Sequence, residues 1–267
     1  LREPGRSASA ESRMWTLVGG PSPGRPVVYF HYAQSRESEV AKKLLDGFKG
    51  FVQADGYAGY NFLKTMDGVT LVRCLVHVRR EFTNILKTNA RAPIASEAVE
   101  RIKVVYRFEK EAREQGLTGT DLVAFRREKI KPVLEDLDRW LDTLEGRADP
   151  KSALGEAISY ARKQLPQIVP YVECPYLMPD NNIVERAIRP FVIGRKNWMF
   201  IDTVNGAVAS AVWYSLIESA IANGLIPLQY LIHLLERLPY AETLEDYIAL
   251  LPHRLSPEIQ TQLRIAK

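Results

Sequence analysis

The sequence predicts an α/β protein with a large helical region. Residues 14–76 alternate β-type and helical runs in the order strand, strand, helix, strand, helix, strand, which is typical of an α/β fold. Residues 78–172 then keep apolar side chains at helical spacing, with glycine and proline at the turns. The length of 267 residues and an apolar fraction of 46% allow one large domain or two of ordinary size.

Two strands and a helix open the α/β region. Residues 14–19 and 26–33 are rich in β-branched and aromatic side chains, and a run of glycine, proline and serine separates them. A helix is predicted from Ser35 to Phe48, because Ser35 can cap its start and apolar residues recur along one side.

Two further strands follow the helix. Residues 50–54 form a short predicted strand that ends at Asp55, and a short helix is predicted near Tyr60 to Thr65. Residues 69–76 form a mostly apolar run, which is typical of a central strand in a buried parallel sheet.

A helical insertion, folded back on itself, is predicted from Val78 to Val172. Its charges are balanced, with ten Lys or Arg and twelve Asp or Glu over residues 97–145. We therefore expect a mostly solvated surface here rather than a DNA-binding groove.

The stretch from Asp180 to Pro190 carries strong local signals. Its first three residues are good helix caps, and Pro190 is expected to end the helix. Glu185 stands one turn before Arg189, with which it can pair. Glu185 has two interpretations, a capping box with Asn182 or a metal ligand on a rigid helix among arginines that meet phosphate. This stretch alone leaves both open.

The rest of the chain is predicted to be mostly helical. Residues 191–201 contain two short apolar runs around a basic turn. Residues 207–222 are almost entirely apolar, which predicts a helix buried on all sides. Residues 228–237 and 244–251 are shorter helices of a C-terminal tail.

Charge and cysteine content bear on partners and compartment. The net charge is +4, from 36 basic and 32 acidic residues, which is compatible with a polyanionic partner without requiring one. Two cysteines give no disulfide framework, so we expect the reducing cytoplasm. No apolar run of about 18 residues and no signal peptide occurs, so we expect neither membrane insertion nor export.

Three residues near strand ends are candidates for chemistry. Asp55 follows a predicted strand, and ligand-binding groups gather at the carboxyl ends of strands in open α/β sheets. A plain Asp-Gly turn explains Asp55 equally well. Cys74 and His77 resemble half of a zinc site, but a structural zinc site needs four ligands. We favour a polar group near a site, or a buried histidine, for His77.

Basic residues cluster at two places, which could bind DNA phosphates or could be solvated charged turns. The first cluster comprises Arg73, Arg79, Arg80, Lys87 and Arg91. The second comprises Arg186, Arg189, Arg195 and Lys196, with Trp198 and Phe200 among them. The aromatic side chains could stack on an unpaired base.

A series of motifs in order resembles the transposases of the insertion sequence 66 family, of the DDE class, over about residues 26 to 238. The motifs are Gln53-Ala54-Asp55-Gly56-Tyr57-Ala58-Gly59-Tyr60, Cys74-x-x-His77-x-Arg79-Arg80-x-Phe82, Pro150-Lys151-Ser152-Ala153-Leu154-Gly155, Asp180-Asn181-Asn182-x-x-Glu185-Arg186-x-x-Arg189-Pro190, Gly194-Arg195-Lys196-Asn197-Trp198, Tyr214-Ser215-Leu216-Ile217-Glu218 and Asn223-Gly224. Any one of them alone would be a weak signal, whereas the ordered series is specific.

The resemblance implies an RNase H-like mixed sheet flanked by helices, with the helical insertion and a helical C-terminal tail. It implies three carboxylates, Asp, Asp and Glu, which bind two divalent ions, Mg²⁺ or Mn²⁺. Asp55 would be the second Asp and Glu185 the Glu. His77, in a Cys-x-x-His signature that follows the second Asp in several such families, is a third candidate catalytic residue. The residues assigned to DNA are Arg79, Arg80, Arg186, Arg189, Arg195, Lys196 and Trp198.

The resemblance also divides the chain by function. Residues 1–77 and 173–224 would form the two parts of the RNase H-like core, 78–172 the insertion and 225–267 the tail. The expected activity is metal-dependent DNA strand cleavage and strand transfer, on element ends and target DNA, by self-associated protomers.

The chain departs from the family pattern at its start. It begins at Leu1 rather than Met, and its first aspartate is Asp46, so no strand-borne first Asp is present. We expect the first strand to lie upstream and this fragment to lack turnover. The alternatives are a non-catalytic DNA-binding or assembly module, in which Glu185 is only a cap, or another RNase H-like nuclease such as a resolvase.

Overall fold

A computed structural model describes residues 5–7, 10–19, 25–198, 201 and 203–264, with the backbone alone for 195–198. In this part of the chain the strands are β1 (Arg13–Gly19), β2 (Val27–Ala33), β3 (Gly50–Ala54) and β4 (Val69–Arg73). The helices are α1 (Ser38–Leu44), α2 (Leu75–Thr88), α3 (Pro93–Glu114), α4 (Gly119–Phe125), α5 (Lys131–Asp142), α6 (Ala153–Ile168), α7 (Asn182–Trp198), α8 (Val204–Ala222), α9 (Pro227–Arg237), α10 (Leu244–Ala249) and α11 (Pro257–Leu263).

The mixture of strands and helices confirms the predicted α/β class, although helix dominates. Among the described residues the strands form two separate two-stranded sheets, β1 with β2 antiparallel and β3 with β4 parallel. The RNase H-like sheet therefore stays a prediction. Within the described part of the chain, no helix combines the length and apolar character needed to cross a bilayer.

The structure divides the chain into two compact units. One consists of residues 37–181, and the other combines 1–36 with 182–267. These boundaries describe packing rather than function, so the functional division at residues 77, 172 and 224 stays a prediction.

The unit 37–181 has a core built by the insertion helices. Helices α2, α3, α5 and α6 bury the apolar residues that the helical spacing singles out, including Ile102, Val105, Leu134, Leu137, Leu141, Ile158, Ala161 and Leu165. Phe51 of β3 and Val72 of β4 pack against this core, whereas Val52 and Leu71 pack on the opposite face. The parallel pair is thus covered on both faces, which explains its continuous apolar sequence.

Two predicted boundaries in this unit are wrong. The strand predicted over 69–76 ends at Arg73, because Leu75 begins α2 and its amide donates to Pro179 O at 2.8 Å. The helix predicted from Ser35 to Phe48 covers only Ser38–Leu44. Glu37 occupies its N-cap position, and Phe48 is exposed.

In the other unit, α7 and α8 pack on the β1–β2 ribbon. Phe30 of β2, Phe191 of α7 and Tyr214 of α8 form an aromatic cluster with ring centroids 5.2–6.1 Å apart. The expectation that Pro190 ends a helix is wrong, because α7 continues through Pro190 to Trp198. The aromatic cluster explains why the proline is tolerated. Proline removes one helical hydrogen bond, and the burial of Phe191 just beyond it offsets that loss.

Helix α8 uses polar side chains to cover the outer edge of β2. Ser215 Oγ accepts from Phe30 N at 2.8 Å, and Ser219 Oγ accepts from Val28 N at 2.9 Å and donates to Val28 O at 3.0 Å. Asn223 Nδ2 donates to Pro26 O at 2.7 Å. The spacing of four residues repeats along one face of the helix. The edge of β2 is thereby paired without another strand.

The opposite side of α8 contradicts the prediction of a fully buried helix. Val208, Val212 and Trp213 are 48%, 53% and 42% exposed. The apolar composition therefore indicates an apolar surface on this helix, and the buried face contains the serines that bond to β2.

The C-terminal helices form a small core of their own. Helices α9 and α10 confirm the tail helices predicted at 228–237 and 244–251. Leu225, Tyr230, Leu234, Leu250, Leu255 and Leu263 are buried together. Tyr230 Oη donates to Leu250 O at 3.1 Å, and Ile226 N donates to Leu263 O at 2.7 Å, so α9, α10 and α11 are tied to one another.

Candidate active site

Asp55 lies directly after β3, at the carboxyl end of the parallel pair. Its Oδ1 accepts a hydrogen bond from Tyr57 N at 3.0 Å, which forms an Asx-type turn and fixes the side-chain rotamer. The residue is half-buried. The turn interpretation of Asp55 is therefore correct as local structure, and it is compatible with a ligand role because one carboxylate oxygen remains beyond the turn.

Arg73 holds the backbone of Asp55, a role that the sequence did not predict. It ends β4, is 2% exposed, and donates to Asp55 O and to Asn61 Oδ1, the latter at 2.8 Å. Burial lowers the pKa of its guanidinium, while the Asp55 charge acts in the opposite direction. Its inclusion in a DNA-binding cluster is wrong, since a buried side chain with these partners cannot reach phosphate.

Gly56 allows a tyrosine to approach Asp55. A Cβ added at Gly56 would collide with the Tyr160 hydroxyl, so only glycine fits against this ring. Burial raises the pKa of Tyr160, with a further contribution from Glu81. Tyr160 lies on the far side of the insertion in sequence, and no local signal marked it as a neighbour of Asp55.

Residues 174–181, which we call the 174–181 segment, connect the insertion to α7. They are hydrogen-bonded to residues near the carboxyl ends of β3 and β4. Gln53 Nε2, two residues before Asp55, donates to Met178 O at 2.7 Å. Leu75 N donates to Pro179 O at 2.8 Å, and Asn181 N contacts Cys74 Sγ at 3.5 Å. The segment is thus fixed beside the ends of β3 and β4, the same edge that carries Asp55.

Buried polar groups gather where this segment meets α2. Three of their atoms have no hydrogen-bond partner among the described residues, namely His77 Nδ1, Arg79 Nε and Asn181 Oδ1. Burial raises the pKa of Tyr106, and the Asp180 carboxylate raises it further. Burial also raises the pKa of the Cys74 thiol, whose sulfur accepts from Asn181. His77 therefore lies beside the segment, and its role at a catalytic site stays a prediction.

Glu185 lies in the first turn of α7. The helix begins at Asn182, so Glu185 is its fourth residue, one position beyond that of a capping-box carboxylate. Its side chain is exposed. Among the described residues it forms no ion pair with Arg189, contrary to the pairing that the spacing allows. These features disfavour the capping box and leave the carboxylate accessible.

The residues assigned to DNA differ in exposure. Arg80, Arg186 and Arg189 are exposed, whereas Arg79 is partly buried beside Tyr106. The side chains of Arg195, Lys196 and Trp198 lie outside the described residues, although their backbone is the last turn of α7. This turn is helical, so the expectation of a basic turn between two apolar runs over 191–201 is wrong for 191–198.

The metal assignment to Asp55 and Glu185 stays a prediction. Within the described ranges, no three His, Cys, Asp or Glu side chains lie close enough together to hold an ion. Asp55 belongs to the unit 37–181 and Glu185 to the other unit.

Comparison with known proteins identifies the family. The model of the IS66 transposase family matches residues 1–209, and that of the IS66 C-terminal element matches residues 215–253. Uncharacterized protein y4jD of Sinorhizobium fredii is 32% identical over 253 residues, which are 90% of this chain and 48% of the relative. Uncharacterized protein y4hP of the same organism is 29% identical over 87% of this chain and 45% of the relative.

The chain spans about half the length of the curated relatives it matches. No solved structure matches it. The family match extends over 209 of the 267 residues and includes both Asp55 and Glu185. On this match, the chain belongs to the IS66 transposase family.

Proposed function

We propose that the chain is the catalytic core of a bacterial insertion-sequence transposase. In this reaction water attacks a phosphodiester at the end of the element and releases a 3′ hydroxyl. That hydroxyl then attacks a phosphodiester of the target DNA, which joins the element to the target and releases the target's own 3′ oxygen. Both steps are displacements at phosphorus, so the same side chains serve both.

The observation that carries the proposal is the placement of the 174–181 segment. It leads directly into α7, and its bonds to Gln53 and Leu75 hold it at the edge that carries Asp55. Glu185 follows Asn181 by four residues, a helical rise of about 6 Å. We propose that Glu185 acts together with Asp55 in binding the metal ions.

The candidate carboxylates fit magnesium or manganese. Both ions prefer oxygen ligands, and Mg²⁺ keeps several waters, so few carboxylates suffice. The Asp55 rotamer is fixed by Tyr57 N and its carbonyl by Arg73, which leaves the second carboxylate oxygen for an ion. Two ions roughly 3.5–4 Å apart stabilise the attacking and leaving oxygens of an in-line displacement. Asp55 and Glu185 are two of the three ligands that the family resemblance assigns, so we propose that this chain alone lacks turnover.

An RNase H-like sheet needs a further strand, and one edge of the β1–β2 ribbon is suited to receive it. Because Val28 and Phe30 bond to α8, they form the non-hydrogen-bonded pairs with Val18 and Thr16. The backbone groups of Thr16 and Val18 therefore point to the outer edge of β1. We propose that the strand carrying the first Asp pairs there.

DNA is the proposed partner, as element end and as target. The exposed guanidinium groups of Arg80, Arg186 and Arg189 support this, because phosphate contacts supply most non-specific affinity. Transposition joins two element ends to one target, so we also propose that protomers act in pairs.

Mg²⁺-dependent cleavage of element-end DNA by the intact protein tests the function. Asp55→Asn and Glu185→Gln should each reduce cleavage at least about 1,000-fold, since each removes a metal ligand. Glu156→Gln is the matched control, because Glu156 is an exposed carboxylate in the first turn of α6 and should have no effect. Unchanged cleavage with Glu185→Gln would show that Glu185 is only a helix-terminal acid and not a metal ligand. No cleavage by the intact parent protein would favour the non-catalytic module.

A further inference from the structure

A compact turn fixes the start of α6, and the motif at residues 150–155 builds it. Ser152 occupies the N-cap position, where its Oγ accepts from Gly155 N at 3.1 Å and donates to Asp149 O at 2.6 Å. A Cβ added at Gly155 would collide with Asp149 O, so only glycine lets the turn pack this closely. The first turn of α6 is therefore held in one position relative to the loop before it.

Tyr160, about two turns beyond the N-cap, lies against Gly56. A Cβ added at Gly56 would collide with the tyrosine hydroxyl and would lie 3.2 Å from the ring carbon that bears it. Gly56 follows Asp55 directly, so the hydroxyl lies at the carboxyl end of β3, where ligand-binding groups gather in parallel sheets. Both residues belong to the unit 37–181, and the contact is therefore a feature of that unit alone.

The Tyr160 hydroxyl has no hydrogen-bond partner among the described residues, although charged groups surround it. Burial raises the pKa of this phenol, and the carboxylates of Glu81 and Asp55 raise it further, whereas Arg73 lowers it. The phenol is therefore a neutral donor at neutral pH. It lies beside Asp55 without being bonded to it.

Packing of the ring does not require this hydroxyl. Phenylalanine would fill the same space and would relieve the close approach to Gly56. Tyrosine hydroxyls in partly buried positions ordinarily find a hydrogen-bond partner, because removal from water costs free energy otherwise. Within the described chain the protein supplies none, so we look for the partner in a molecule that binds at this edge. A DNA phosphate fits, because its oxygens accept hydrogen bonds and a neutral donor adds no repulsion to that of the neighbouring carboxylates.

We propose that Tyr160 is a further substrate-contacting residue, whose hydroxyl donates a hydrogen bond to a non-bridging oxygen of the DNA phosphate that binds beside Asp55. This inference rests on the proposed function, because the reacting phosphate lies beside Asp55 only if that residue holds the catalytic ions. It also gives the motif at 150–155 a role, since the turn that the motif builds sets α6 so that Tyr160 meets Gly56.

Phosphorothioate DNA tests the contact in the intact protein, with Mn²⁺ as the ion because Mn²⁺ accepts sulfur as a ligand. Sulfur replaces one or the other non-bridging oxygen of the cleaved phosphate, and sulfur is a poor hydrogen-bond acceptor. Tyr160→Phe should cleave ordinary element-end DNA about tenfold more slowly, the effect of one lost hydrogen bond to a charged group. The ratio of the cleavage rates of the two diastereomers should differ about fivefold or more between the variant and the parent.

Binding measured in Ca²⁺ by fluorescence anisotropy gives a readout that does not depend on cleavage. The ratio of the dissociation constants of the two diastereomers should change in the same direction. Ser159→Ala is the matched control, because it removes an exposed hydroxyl from the neighbouring residue of α6. The control should leave the rate and both ratios unchanged. The urea midpoint should change little in either variant, since Tyr160→Phe keeps the ring.

An unchanged rate of Tyr160→Phe on ordinary DNA would overturn the proposal. A lower rate with parental diastereomer ratios in both cleavage and binding would also overturn it, since the hydroxyl would then support the fold and not contact this phosphate. Failure of the proposed function looks different, because the parent protein itself would not cleave element-end DNA, and this inference would fall with it.

Discussion

The hydrogen bonds between α8 and the backbone of β2 allow a quantitative prediction for the Ser219→Ala replacement. The hydroxyl of Ser219 accepts from Val28 N and donates to Val28 O, and both residues are buried, at 3% and 4% exposed. Alanine would leave a donor and an acceptor of the backbone without partners, and each such group costs about 1–3 kcal/mol. We therefore expect the free energy of unfolding to fall by about 2–4 kcal/mol, with some relief if water enters.

Urea denaturation followed by circular dichroism measures this change. Ser210→Ala is the matched control, because Ser210 lies on the same helix and donates to no strand in the described structure. The control should change the unfolding free energy by less than about 0.5 kcal/mol. Equal effects of the two replacements would refute the reasoning, since they would show that the bonds to Val28 contribute nothing measurable. An effect of Ser219→Ala below about 0.5 kcal/mol would do the same.

Three further predictions concern other parts of the chain. Arg73→Lys should lower the free energy of unfolding by about 2–4 kcal/mol, because lysine cannot reproduce the buried fork to Asp55 O, and urea titration checks this. Gly56→Ala should cost about 1–3 kcal/mol through overpacking against Tyr160, and Tyr160→Phe in the same chain should recover part of it; simple additivity in the double-mutant cycle would contradict the contact. Burial lowers the pKa of His233 below its ordinary 6.5, so the unfolded state binds the proton more readily and the unfolding free energy should fall as pH drops below about 6.5. His233→Gln should flatten this dependence in thermal melts at pH 5.5 and 7.5, and an unaltered slope would exclude His233 as its source.

Elements with a strong period were predictable from the sequence. The strands predicted at 14–19 and 26–33 follow from β-branched and aromatic content, the strand begun at residue 69 from an apolar run, and the insertion helices from helical spacing. The structure contains all of these elements, with shifted ends. Local rules failed where tertiary contacts decide. Pro190 is tolerated inside α7 because Phe191 packs into the aromatic cluster. Helix α8 packs on β2 through the face that carries its serines, and its apolar face is exposed.

The candidate site shows the same limit. Asp55 and His77 could be singled out because their motifs are local, and the structure places both at one edge of the parallel pair. Arg73, Tyr160 and Arg126 could not, because their partners lie far away in the sequence. Arg126 contacts Cys174 across 48 residues, and an arginine in a charged helix is ordinarily expected to be solvated.

The central claim is that Asp55 and Glu185 hold the same pair of ions. Iron-directed cleavage of the polypeptide tests it most directly, because Fe²⁺ in the place of Mg²⁺, with ascorbate and peroxide, cuts the backbone beside the bound ion. In the intact protein we expect cuts near residue 55 and near residue 185, and loss of both sets with Asp55→Asn alone or with Glu185→Gln alone. Cuts near only one of these residues, or two sets that respond independently to the replacements, would contradict a shared metal site.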